Sequence, residues 1–505
     1  MMRTSMETIA HTRYGALRGV ASGAGTVSWR GIRYAAPPTG ERRWRAPARP
    51  EHWDGAIDAS SFGTRAPQVL TPELVPPGGA EPSDADTPFG EDCLFVNVTA
   101  PVKAEGPSPV LVWFHGGGYI WGSGANYIGD GVALAQDGII VVTVNYRLGA
   151  LGFLRLDHLL GPQYAPAVNA GLLDQIAALR WVRENIAAFG GDPDRVTIAG
   201  VSAGGKSVAN LMAAPETQGT FQRAIVQSGG DHVNTLEGAA ELTSTLLAVL
   251  GLDAEDAAQL LSVPADVLLQ AQQQIATGVR ATWLWRPTVD GTVLPTTPTA
   301  ALASGRAAGI SMMAGVTRNE AGSYDVADPS AADQTPRVLQ EIFGIRGAAV
   351  HFIYQASRPE ADQRTVHRAI MADERYGIPT IGLLDAQTSH GPCWRYRFDA
   401  PTPGAPQDKW GFHGADVPYV WDIGLDHADS ELRSLSAGMR ASWAAFIHGG
   451  KPDAPGLPYW PEYDTSERTT MILDRQSTVE TDPHSAERQA WSGMQWTPGT
   501  WWDLP

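Results

Sequence analysis

The chain has 505 residues, 54 acidic against 37 basic side chains, and a formal net charge of −17. That balance argues against nucleic acid or an anionic membrane as a partner, and a solubilising surface accounts for it. No run approaches the ~20 apolar residues that a membrane span needs, and Met1–Thr8 has no apolar core of signal-peptide length. Only two cysteines, Cys93 and Cys393, are present, too few for a disulfide framework; free thiols in a reducing cytosol are expected, although a bridge between the two stays open. Four lysines stand beside 33 arginines, a bias that points to a GC-rich bacterial genome.

Such a chain can bury roughly three-quarters of its unfolded surface. Neither a linker nor a solenoid repeat divides it, so a single elaborated domain over 1–505 is expected. In chain order, the Pro/Gly/acid-rich segment Thr71–Gly90 reads as a loop, either a surface excursion or the border of a site. Asn97-Val-Thr99 matches a glycosylation acceptor but falls in a β pattern, and is discounted. Val110–Phe114 reads as a buried strand running into His115-Gly-Gly-Gly118, and Ile139–Val144 as the next strand. A helix follows, with Leu172, Ile176, Leu179, Val182 and Ile186 on one face and Asp174, Arg180 and Glu184 on the other. Gly190-Gly-Asp-Pro193 ends it. Arg195–Ala199 is a strand, Ser207–Ala213 a helix, and Arg223–Gln227 and Ile310–Val316 are further strands. Helix and strand signals thus alternate as a parallel α/β sheet requires.

Gly200-Val-Ser-Ala-Gly-Gly-Lys-Ser207 satisfies two catalytic patterns at once. As G-x-S-x-G it is a nucleophile elbow that exposes the Ser202 hydroxyl on a tight strand-to-helix turn. As G-x-x-x-x-G-K-[ST] it is a phosphate loop, with Lys206 and Ser207 serving a nucleotide and Mg²⁺. The phosphate reading needs an apolar strand ending in Asp to hold the metal. The strand at Ile139–Val144 ends in Asn-Tyr-Arg, and that at Arg223–Gln227 in Ser-Gly-Gly-Asp. Neither fits well.

The elbow needs a base, an acid that orients it, and oxyanion donors. Glycines in His115–Gly118 let backbone N–H groups approach a developing charge. Thr317-Arg-Asn-Glu320 follows a strand, and Gly411-Phe-His-Gly414 places a histidine between glycines. The order Ser202, Glu320, His413 is the order the elbow predicts. Under this reading Lys206 is a surface or interface charge.

The chain resembles the type-B carboxylesterase and cholinesterase family of α/β-hydrolases. The resemblance rests on Gly31-Ile-Arg-Tyr-Ala-Ala-Pro-Pro-Thr-Gly40, Glu91-Asp-Cys-Leu-Phe-Val-Asn-Val98, Asn145-Tyr-Arg-Leu-Gly149, Asn169-Ala-Gly-Leu-Leu-Asp-Gln175 and Phe189-Gly-Gly-Asp-Pro193, together with the elbow. It implies an α/β-hydrolase fold, with a mixed, mostly parallel sheet flanked by helices and insertions that form a gorge. It further implies Ser202 as nucleophile, Glu320 as acid, His413 as base, an oxyanion hole from the N–H groups of Gly117, Gly118 and Ala203, and support of the acid by Ser228. Three departures stand out. Val201 replaces the family's glutamate beside the serine, the acid motif reads Thr317-Arg-Asn-Glu-Ala321, and Ala66 stands where a cysteine would pair with Cys93.

Among seven histidines after Glu320, the glycine flanks and the following Asp416–Trp421 single out His413. His115 reads as structural, and His232 as either a pocket or a surface-loop residue. Tyr119, Trp121, Val201, Trp283, Trp285 and Trp421 are pocket candidates, which gives a wide aromatic site for aryl or short-to-medium-chain acyl esters. The expected reaction is two-step acyl transfer to water through an acyl-enzyme, with a small-molecule ester as partner and no cofactor or metal. Bulk at Gly117 or Gly118 is expected to cost turnover more than folding. Carbamate or aryl-amide hydrolysis on the same triad is the near alternative; a nucleotide-binding protein and a non-catalytic binding module are remote ones.

Overall fold

The computed structural model describes residues 8–22, 24–68, 87–125, 131–324, 328, 330–402 and 410–497. Most of the Thr71–Gly90 loop therefore lies outside the described residues. Near the N-terminus, β1 (Ile9–Thr12), β2 (Gly15–Arg18) and β5 (Ala56–Asp58) form a small sheet. The large sheet is built from β3 (Val20–Ala21), β4 (Thr26–Arg33), β6 (Phe95–Pro101), β7 (Ser108–Phe114), β8 (Ile140–Val144), β9 (Gly191–Val201), β10 (Arg223–Gln227), β11 (Ser311–Thr317), β12 (Cys393–Phe398), β13 (Thr470–Leu473) and β14 (Thr478–Glu480). Its order is β14-β13-β12-β11-β10-β9-β7-β8-β6-β4-β3. From β8 to β13 the neighbours run parallel, and antiparallel pairs close both ends.

Period-two alternation divides the core into two layers, one on each face of the sheet. From β7, Val110, Val112 and Phe114 enter one apolar cluster, while Leu111 and Trp113 enter the other. The first layer is covered by α1 (Ala170–Asn185) and α2 (Ala203–Ala213), the second by the C-terminal helix Ser430–Gly449. Between β10 and β11 the chain adds α3 (Gly278–Leu284). Between β11 and β12 it adds α4 (Gln363–Ala372) and α5 (Ile378–Gln387), joined by a π-helical turn at Asp373–Gly377.

The apolar stripe of α1 is buried as its spacing predicts, and Arg180 and Glu184 are exposed. Asp174 departs from that pattern. It is fully buried and bound by Arg147, whose Nε and Nη2 donate at 2.8 and 2.7 Å, with the Arg147 backbone N–H adding a third bond at 3.0 Å. Helical periodicity assigns charge to the outside and cannot see a buried partner supplied by another loop.

Cys93 and Cys393 are free and buried, and burial pushes both thiols up. Asn97 is committed to the sheet: Oδ1 accepts from Gly31 N at 2.9 Å and Nδ2 donates to Thr143 at 3.0 Å. Among the described residues no helix is long and apolar enough to cross a membrane.

Candidate active site

Strand β9 ends at Val201, α2 begins at Ala203, and Ser202 alone makes the turn, with φ 58° and ψ −121°. Side chains rarely adopt that conformation, and non-glycine residues held there concentrate at functional sites. The flanking glycines make it possible. A Cβ on Gly200 would lie 2.5 Å from the Gly204 carbonyl carbon, and one on Gly204 2.0 Å from the Phe114 oxygen. The same geometry excludes a phosphate loop. Gly200 and Val201 are still strand, Ala203 already helix, and no loop remains to surround a phosphate. Ser207 is fully buried, bonded to Gln175 and Tyr119.

Of the surface and interface positions that the sequence leaves open for Lys206, the surface one is excluded. Every residue of α2 is buried and Lys206 is 2% exposed. Its Nζ stands 4.9 Å from the Trp283 ring centroid and 4.8 Å from that of Tyr376. Helix α2 lies between the sheet and the inserted helices, so it has no solvent face to offer a lysine.

Glu320, on the turn after β11, is 2% exposed. Its Oε1 accepts from Ser228 Oγ at 2.6 Å and from Thr317 N at 2.7 Å, and its Oε2 meets Nδ1 of His413. Two backbone contacts hold the acid and histidine loops together: Arg318 N donates to Phe398 O at 2.8 Å and Asn319 N to Gly411 O at 2.9 Å. His413 Nε2 is left without a hydrogen bond to the described residues. Behind it, Asp416 accepts from Gln227 at 2.8 Å and Tyr396 at 2.7 Å, and burial raises its carboxyl.

Ser202 and His413 line one narrow cleft, along with Gly116, Gly117, Gly118, Trp121, Val201 and residues of the inserted helices. Gly117 and Gly118 have φ of 108° and 60°, which bends the loop after β7 over the elbow. Ala203 opens α2, so its N–H belongs to the first turn, whose donors have no partner within the helix. The positive end of the α2 dipole therefore faces the same cleft. His115 is 2% exposed, stacked on Tyr146 at 4.4 Å, with Nδ1 2.8 Å from the Gly116 carbonyl. Burial lowers it to about 4. It holds the loop as a neutral ring, as the sequence reading expects.

A Cβ on Gly117 would lie 2.1 Å from the Trp121 carbonyl oxygen. That contact is with backbone, so bulk there also disturbs the loop itself.

Of the pocket candidates, Trp121 and Val201 line the cleft. Tyr119 packs edge-on against Phe153 at 5.0 Å, Trp421 packs against Trp113 at 5.0 Å, and Trp285 lies in the core. Trp283 is fully buried behind the wall, with His232 at 3.9 Å ring to ring. His232 is 1% exposed and does not line the cleft. These residues neighbour motifs in sequence, but their side chains point into the protein layers, where large rings are best buried.

The cleft residues that sequence reasoning missed are Thr282, Ser323, Tyr324, Arg375 and Tyr376. The Tyr376 hydroxyl bonds that of Tyr324 and lies within hydrogen-bonding reach of Ser202, and its ring is 4.7 Å from His413. Its position on a π-helical turn, a feature frequent at functional sites, carries no sequence signature.

The family model described as the carboxylesterase family matches residues 6–491. The chain is 38% identical to the para-nitrobenzyl esterase of Bacillus subtilis, over 95% of this chain and 98% of that one. It is 34% identical to the phenmedipham hydrolase of Pseudarthrobacter oxydans, over 92% and 94% of the two chains. A solved carboxylesterase from Geobacillus stearothermophilus superposes with a TM-score of 0.85 at 36% identity, covering 96% of this chain and all of the other. With the α/β-hydrolase fold and the cleft geometry above, these matches mean that the chain belongs to the carboxylesterase family and is a carboxylic-ester hydrolase.

Proposed function

We propose that Ser202, His413 and Glu320 form the catalytic triad, that the N–H groups of Gly117, Gly118 and Ala203 form the oxyanion hole, and that Ser228 positions the acid. The carrying observation is a buried carboxylate seated on His413 Nδ1 while Nε2 stays unbonded on the cleft that Ser202 lines. His413 takes the Ser202 proton as the oxygen attacks the ester carbonyl. The tetrahedral oxyanion receives the loop N–H groups, each contributing about 3–4 kcal/mol by analogy with other such donors. His413 then protonates the departing alcohol, leaving Ser202 acylated. Water, deprotonated by His413, attacks the acyl carbonyl, and the acid leaves as the serine regains its proton. Glu320 stabilises the imidazolium throughout without taking its proton.

We further infer that one domain built on the large sheet carries this activity, that the substrates are aryl or short-to-medium-chain acyl esters, and that the enzyme works in a bacterial cytoplasm. The two free buried thiols support the last of these. The test is hydrolysis of p-nitrophenyl butyrate in EDTA by wild type and a folded Ser202→Ala variant, with intact-mass detection of a fluorophosphonate adduct. Loss of turnover and of the adduct together is expected. Undiminished turnover in the variant would falsify the nucleophile assignment.

A further inference from the structure

Behind the cleft wall lies a cluster of buried charge that the ester chemistry does not use. Lys206 on α2, Arg286 just after α3, and Glu374 and Arg375 on the π-helical turn are each at most 6% exposed. Around the Trp283 ring stand the Arg375 guanidinium at 4.1 Å, the Lys206 amine at 4.9 Å and the Arg286 guanidinium at 5.3 Å. Guanidinium groups keep their protons even when buried. The carboxylates that bear on Lys206 are Glu374 and Glu320, and Glu320 is already seated on His413.

Burial and the surrounding cations act together on Lys206 and His232. Lys206 is held well below the ordinary ammonium range, first by burial and then by repulsion from Arg375 and Arg286. His232 is held well below its ordinary value first by burial and then by Lys206, Arg286 and Arg375.

Arg375 carries this charge to the substrate, because it lines the cleft. Its Nη2 donates to Thr282 Oγ1 at 3.1 Å, and a Cβ on Gly118 would meet Thr282 Cβ at 2.3 Å. The guanidinium therefore stands one residue from the oxyanion loop. None of the described residues lining the cleft is Asp or Glu, and the position before Ser202 is Val201. A cleft with fixed charge of one sign concentrates ligands of the other, and a guanidinium bonds a carboxylate through charge-assisted hydrogen bonds.

We propose that this cleft is built for esters carrying a second, ionised carboxylate a few atoms from the scissile carbonyl, with Arg375 as its anchor. This specificity rests on the ester-hydrolase reading of the same site.

The test compares kcat/KM, by pH-stat, for monoethyl glutarate against its uncharged isostere ethyl 5-methylhexanoate (carboxylate on the acyl side). A second arm compares 4-carboxyphenyl butyrate with 4-isopropylphenyl butyrate (carboxylate on the alcohol side). Wild type should favour the charged member of one pair by at least about tenfold, as a charge-assisted hydrogen bond allows. Arg375→Gln should abolish the preference, chiefly through KM, and Arg375→Lys should restore part of it. Should the Gln variant not fold, the same four esters used as competitors of wild-type p-nitrophenyl butyrate hydrolysis decide: the charged member of one pair must inhibit at least about tenfold more tightly than its uncharged partner. A preference below about tenfold for the charged member in both pairs, in turnover or in inhibition, or a preference that survives Arg375→Gln would overturn the subsite and leave the ester-hydrolase reading standing. Failure to hydrolyse any of the four esters would instead count against that reading itself.

Discussion

Removing the Ser228 hydroxyl isolates the support of the acid from the acid itself. Glu320 Oε1 has two donors, Ser228 Oγ at 2.6 Å and Thr317 N at 2.7 Å, while Oε2 serves His413. A hydrogen bond to a buried carboxylate contributes about 1.5–3 kcal/mol. In Ser228→Ala the Thr317 N–H still holds Oε1, and roughly half of that energy, about 1.4 kcal/mol, should be missing when the imidazolium forms, a tenfold fall in kcat. KM should barely change, because Ser228 does not line the cleft. By contrast, Glu320→Gln presents an amide to His413 and should cost on the order of 10⁴. Ser228 sits at φ 47°, a strain that alanine inherits, so the backbone is little altered by the change. Ser228→Gly supplies the control: it relieves about 1 kcal/mol of left-handed strain yet should lose the same tenfold in kcat. The assay is p-nitrophenyl butyrate kinetics beside a thermal melt. A folded Ser228→Ala enzyme with kcat within about twofold of wild type would refute the positioning role.

The other predictions address stability and the oxyanion loop. Asp174→Asn leaves one oxygen for three Arg147 donors and should destabilise the fold by about 3–5 kcal/mol, read as a lower urea midpoint of tryptophan fluorescence; a loss under about 1 kcal/mol would contradict the buried-pair account. Gly117→Ala, at φ 108° and with its Cβ against the Trp121 carbonyl, should lower kcat by about 10²–10³ and the melting temperature as well, and an unchanged melt would show that the loop yields freely. Lys206 has a folded pKa depressed below its unfolded value, so the unfolded state binds the extra proton and stability should rise with pH across that window. Lys206→Met should therefore be more stable than wild type at neutral pH and lose part of that slope, as urea unfolding at several pH values would show.

What sequence made legible and what it did not follow from the range of the interactions. The strands before Ser202 and Glu320 are readable because β-branched runs ending in glycine or turn residues act over a few positions. The strand Cys393–Phe398 before His413 is not read, and that histidine stands out only by its glycine flanks and the following Asp416–Trp421. Asp174 was placed outside because periodicity knows only its own helix, whereas its partner Arg147 comes from the loop after β8. What buries Lys206 was hidden for the same reason: it arrives from α3 and the turn between α4 and α5, roughly 80 and 170 residues away,.

The misplaced and missed residues meet at one place. Lys206, His232, Trp283, Arg375 and Tyr376 converge from three parts of the chain on the wall behind Ser202. The proposed catalytic residues sit at strand ends and so are written in short motifs, while the wall around the cleft is assembled by tertiary contact. Two esterases with the same elbow can therefore differ in substrate charge without differing in any motif. Here Val201 is visible in the elbow itself, whereas Arg375, on a π-helical turn, has no link to the site until the fold brings both to one cleft.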